Sequence, residues 1–221
     1  SRNDVYVVGY GHPILHYNGL SWAGVNSSGY ESFLAVWGSS AADVYTTSSS
    51  GTIYHYNGVS WGSASEPARK KYNGIWGSSA GNVFIVGEEG AILHYNGQIW
   101  NQLHSGIGTS LHCIWGSSPQ NVFAAGDDGL ILHHDGQKWS QMSSGTTRSL
   151  SALWGSGTGD VFAAGYLGTI LRYNGQSWSA MESGTGEWLQ ALWGSSSTDV
   201  FAAGWEGVIL HYDGQSWSQM Q

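Results

Sequence analysis

Small and apolar residues come along this chain in short bursts separated by glycine-rich polar breaks. Between Leu150 and Met181, for instance, Leu150, Ala152 and Trp154 alternate with Ser151, Leu153 and Gly155, the period-two signature of a strand. A Ser/Gly-rich segment from Gly155 to Gly159 reads as a turn. Val161 to Gly165, almost wholly small or apolar, suits a second strand buried on both faces. Gly165, Tyr166, Leu167 and Gly168 then turn the chain tightly into a third strand, Thr169 to Tyr173. Asn174-Gly175 follows, a dipeptide suited to the positive φ angles of a two-residue hairpin turn, and a fourth strand carries Trp178 and Met181.

This pattern repeats. Trp-Gly recurs at Trp37, Trp76, Trp115, Trp154 and Trp193, every 39 residues with no insertion or deletion. Asp/Asn-Val-Phe/Tyr keeps the same step through Val5, Val44, Val83, Val122, Val161 and Val200, and a further Trp follows at Trp22, Trp61, Trp100, Trp139, Trp178 and Trp217. Eleven of the 13 Trp therefore belong to the repeat framework. A period near 40 residues marks stacked units, each too small to bury its apolar surface alone.

Four short antiparallel strands per unit make a twisted sheet with two apolar faces and no helix to cover them. Packing such sheets face to face around an axis solves the problem, so the sequence predicts an all-β fold, a β-propeller of four-stranded blades, as a single domain over 1–221. The first-strand motif occurs five times and the other three strands six times. Six blades with one incomplete, or six units of a longer chain, are the favoured arrangement. Five blades with a spare three-stranded unit, and closure between chains, stay open. The incomplete blade also offers a route to oligomers.

Composition narrows the function classes. Charged residues are only 10% of the 221, with Gly at 34, and the formal charge is −8. The seven basic residues are scattered apart from Arg69, Lys70 and Lys71, so no cationic stripe suited to nucleic acid is expected. No apolar run is long enough for a transmembrane helix. No export signal is expected in the chain, and the compartment stays open, with a secreted or cell-surface setting favoured. Cys113, the only cysteine, lies in an apolar strand and reads as an inert buried thiol.

Variation between repeats points to one rim. Turns after each Trp-Gly, and the Asn/Asp-Gly turns, are nearly uniform and read as structural. The turn between second and third strands instead reads Tyr10-Gly11, Ser49-Ser50, Glu88-Glu89, Asp127-Asp128, Tyr166-Leu167 and Trp205-Glu206. The loop between fourth and first strands, on the same rim, holds Arg69 to Lys71 and Trp188. Trp188 and Trp205 are the only Trp outside the framework. Either packs over its own blade, or Trp205 beside Glu206 stacks on a ligand that the carboxylate orients, with Tyr166 and Tyr10 at equivalent positions giving several similar sites. Trp205, Glu206, Trp188, Tyr166 and Tyr10 are the candidate ligand-binding residues.

The acidic pairs at 88–89 and 127–128 read as solvated turns, since no cation-binding cadence surrounds them. His16, His55, His94, His133 and His211 share one repeat position, but each belongs to a different unit, so a structural role is expected and neither metal nor cofactor is implied.

The run Trp-Gly-Ser-Ser, Asp-Val-Phe-Ala-Ala-Gly, Ile-Leu-His-Tyr-Asp-Gly and Ser-Trp-Ser, spanning Trp193 to Ser218, resembles bacterial propeller lectins that bind fucose and galactose, with tachylectin-type propellers more distant. That resemblance implies multivalent glycan binding without catalysis. Asp213-Gly214-Gln215-Ser216-Trp217 looks like the Asp-box of sialidases with one residue missing, a turn motif remote from catalysis in that family. Arg2, Arg69, Arg148 and Arg172 do not assemble a carboxylate-binding triad, and no facing pair of acids, nucleophile motif or nucleotide fingerprint is present, so no enzyme is expected. The favoured reading is a non-catalytic glycan-binding propeller with several similar sites on one face; the alternative is a protein-interaction or structural propeller gripping a protein ligand, and a recently amplified or engineered repeat with no evolved ligand stays open.

Overall fold

The computed structural model describes residues 4–11, 14–25, 31–64 and 70–220. They form six antiparallel sheets in sequence order, one of three strands and five of four, and fall into two compact units, Ser1–Gly108 and Thr109–Gln221.

The first unit begins with the three-stranded sheet Val5–Val7, Ile14–Tyr17 and Trp22–Val25, as the strand count predicts. Two complete sheets follow, from Phe33 to Ser63 and from Tyr72 to Leu103. The second unit holds three complete sheets, Leu111 to Met142, Leu150 to Met181 and Leu189 to Gln219.

The sheet from Leu150 to Met181 shows how sequence becomes blade. Trp154 pairs with Phe162, Phe162 with Arg172, and Arg172 with Ser179 across its four strands. Its first strand runs to Gly157, longer than the sequence predicts, because a register shift between Gly155 and Gly157 lets the small residues keep pairing as far as Asp160. The segment Gly155 to Gly159 is therefore mostly strand.

The uniform hairpin turn also differs from expectation. Tyr173 pairs with Trp178, so the loop is four residues, Asn174 to Ser177, and only Gly175 takes a positive φ, +92°. The Asn174 side-chain oxygen accepts from the backbone N–H groups of Gln176 and Ser177, both at 3.0 Å. Asn is chosen here as a side-chain acceptor that closes the loop, not for a left-handed backbone.

Within each unit the cores lie between successive sheets. Val161 and Ala163 join Phe123, Ile131 and Leu150 in one buried cluster, whereas Phe162 and Ala164 join Leu189, Val200 and Leu210 in the next. Alternate residues of one strand thus serve two interfaces, which is why Val161 to Gly165 carries no polar face. Aromatic rings interlock at the same joints. Phe162 meets Trp217 edge to face at 6.2 Å, and within the first unit Tyr45 meets Trp100 at 5.9 Å.

The repeated histidines bond and stack within their own sheets. His211 Nε2 lies 2.7 Å from Asp199 Oδ1, and its ring stacks on Phe201 at 4.5 Å. His55 does the same with Asp43 and Tyr45. Arg172 replaces His in one sheet, binding both oxygens of Asp160 and lying over the Phe162 ring at 5.3 Å. Among the described residues no three His, Cys, Asp or Glu gather in a metal-binding group.

Candidate functional site

The irregular rim of the second unit is organised by one backbone hydrogen bond repeated in each sheet. Asp127 N–H donates to Ser110 O at 3.0 Å, Tyr166 N–H to Ser149 O at 2.9 Å, and Trp205 N–H to Trp188 O at 2.9 Å. Each bond holds the residue after the second strand beside the residue before the first. A third repeated position on the first strand, filled by His112, Ser151 and Gln190, lies two residues further on. The framework fixes these positions, and the sequence varies what fills them.

Where the three sheets meet, these positions enclose a cleft of about 580 Å3. Tyr166 and Trp188 supply aromatic surface, while His112, Asp127, Ser149, Ser151 and Gln190 supply polar surface. The Tyr166 and Trp188 rings stand at 89° with centroids 5.8 Å apart, and Trp188 also contacts Trp205, 5.2 Å away. Trp188 Nε1 donates to Ser151 Oγ at 2.6 Å. The indole therefore packs on Trp205 of its own sheet and also reaches Ser151 and Tyr166 of the preceding one, so its orientation is fixed from both sides.

Asp127 Oδ1 is held by His112 Nε2 at 2.7 Å and by the Ser149 hydroxyl at 2.9 Å. Burial alone would raise its carboxyl, but the bonds from His112 and Ser149 outweigh it and hold the group below the usual carboxylate range. The charge is thus permanent at neutral pH. Ser149 donates to the carboxylate and not to His112, so the imidazole is not placed to activate that hydroxyl as a base would. This arrangement holds a charge in place.

Of the residues expected from sequence, Trp188 and Tyr166 line the cleft. Trp205 backs Trp188 and remains 52% exposed without lining it. Glu206 is exposed at the left-handed middle position of a 3-10 turn, φ 54°, and does not line the cleft either. Tyr10 belongs to the first unit, where it is exposed in the turn after Val5–Val7. His112, Asp127, Ser149, Ser151 and Gln190 were not legible as a group, because they come from three repeats. The available signal was the column His112, Ser151 and Gln190, which changes chemistry at every copy.

The acidic turns are also more engaged than solvated loops would be. In the first unit Lys70 Nζ pairs with Glu89 at 2.6 Å, and Lys71 lies 3.6 Å from Glu88. Arg69 and Arg2 lie outside the described residues.

No protein-family model matches the chain, and no curated protein matches it. Solved structures do. YCF48 bound to D1 peptide is 18% identical with a TM-score of 0.78, covering 99% of this chain and 79% of that one. YCF48 from Cyanidioschyzon merolae is 15% identical with a TM-score of 0.77, covering 99% and 81%. The WD40 beta propeller domain of Doa1 is 11% identical with a TM-score of 0.76, covering 97% and 72%. At these identities the likeness is one of fold alone, and the fold is the β-propeller.

Proposed function

We propose that this propeller is a non-catalytic binding module that grips a segment of another protein on the irregular rim of residues 109–221. The observation that carries the reading is the cleft itself, with Tyr166 and Trp188 as rigid aromatic surface beside the fixed carboxylate of Asp127. Aromatic anchors lose little side-chain entropy on binding, and a few fixed polar atoms beside them orient a ligand. A volume of about 580 Å3 suits one large side chain and its flanking backbone. The similar propeller YCF48 has been solved bound to D1 peptide, which adds weight to a peptide as the ligand class.

A sugar is the second reading. The indole of Trp188 beside Asp127 and Gln190 has the pairing of apolar face and hydroxyl acceptors that a pyranose ring uses. Peptide and glycan arrays, each probed with the intact chain and with Trp188→Leu, separate the two. Peptide spots that lose signal in the variant support the main reading. Glycan spots that do so, with peptide spots blank, replace it by the second.

A further inference from the structure

We propose that the cleft takes a cationic side chain, an arginine guanidinium or a lysine ammonium, seated against Tyr166 and Trp188 and neutralised by Asp127. This rests on the peptide-binding reading and sharpens it.

Three observations converge on a cation. The first is the tether geometry. Asp127 is anchored by Ser149 and the Trp188 indole by Ser151, at 2.9 Å and 2.6 Å. Ser149 and Ser151 line the same cleft as Asp127 and Trp188, the strand being bulged between Leu150 and Ala152. Carboxylate and indole are thus tethered at one opening, where one guanidinium or ammonium would meet both. His112 and Ser149 share Oδ1, while Oδ2 of Asp127 takes no hydrogen bond from a described residue. That oxygen is free to accept from a ligand.

The second is a precedent inside the same unit. Arg172 is already held by this combination, with Asp160 on its nitrogens at 2.8 and 3.1 Å and the rings of Phe162 and Tyr212 at 5.3 and 5.9 Å from its central carbon. The rim cleft presents the same two kinds of group, aromatic rings and a carboxylate, with His112 on one carboxylate oxygen and, among the described residues, no Lys or Arg lining it. A cation over an aromatic face is attracted to the ring quadrupole, more strongly as it loses water.

The third is charge. Residues 109–221 carry nine acidic and three basic side chains, so the field over this unit draws cations. Of the three, Arg172 is committed to Asp160 and Lys138 is in a hairpin turn. Arg148 does not line the cleft, and its Nη1 donates to Leu167 O at 3.2 Å.

The test uses paired peptides with a central arginine or its neutral isostere citrulline, titrated into the intact chain by calorimetry. The arginine peptide is expected to bind at least tenfold more tightly. Asp127→Asn is expected to remove most of that difference, with thermal melting confirming that the variant is folded. Equal affinity for the two peptides would overturn the cation assignment while leaving peptide binding intact. No binding of either peptide at millimolar concentration would remove both.

Discussion

The six-membered ring of Trp154 lies against Gly194 of the next sheet, so close that a Cβ added there would stand 2.6 Å from the indole and 2.7 Å from the carbonyl oxygen of Asp199. Trp115 meets Gly155 in the same way, and Trp37 meets Gly77. The two halves of the repeated Trp-Gly thus face in opposite senses. The Trp closes the joint to the following sheet, and the Gly receives the Trp of the preceding one.

Gly194→Ala is therefore expected to destabilise the second unit by about 1 to 3 kcal/mol, the cost of forcing a methyl into a filled core. Differential scanning calorimetry checks it, with a fall of several degrees expected. Ala at Gly157, which has nothing within 4 Å of the added Cβ, is the control and should melt near the wild type.

The column of histidines gives a second prediction. His211→Ala removes a bond to Asp199 and a stack on Phe201, and is expected to cost about 1 to 2 kcal/mol. His211→Arg should be far milder, because Arg172 already performs that task with Asp160 and Phe162 at the equivalent position. Chemical denaturation of the two variants side by side measures the difference.

The period made the blades legible, because small, apolar and Trp-Gly positions are fixed by the joints they fill. Turn chemistry was less so: Asn-Gly suits a two-residue hairpin in isolation, whereas here the Asn174 side chain bridges two backbone N–H groups and holds a loop twice that length. The cleft was half legible. Trp188 stood out as a Trp with no framework role, but Asp127 is 61 residues away in sequence and only the stacking of sheets brings them to one opening. Glu206, next to Trp205 in sequence, sits at a left-handed turn position outside this cleft.

Acid sensitivity follows from the carboxylates. Asp213 is held below the usual range by backbone N–H groups of Ser216 and Gln215, and Asp199 by bonds from Ser195 and His211. A folded value below the unfolded one means stability present above about pH 4 and lost as pH falls through the folded value. Melting temperature should hold from pH 7 to pH 5 and drop below pH 4. Asp213→Asn, which copies the turn at Asn174, should leave the neutral value nearly unchanged and make the acid loss shallower.

Cys113 yields a fourth expectation. Its thiol donates weakly to Ala125 O at 3.7 Å, and burial pushes its pKa up to about 12. At pH 8 almost none is thiolate, the reactive form. Iodoacetamide labelling read by mass spectrometry should be slow in the native protein and fast in denaturant, and rapid native labelling would mean that this strand opens.

The most direct measurement of the binding claim is the indole N–H spectrum by nuclear magnetic resonance, titrated with an arginine-containing peptide and assigned by Trp188→Phe and Trp205→Phe. Trp188, bonded to Ser151, and its neighbour Trp205 should shift with saturation, while the buried framework indoles of Trp178 and Trp217 stay in place. Shifts confined to the framework, or a spectrum unchanged at saturating peptide, would contradict the account.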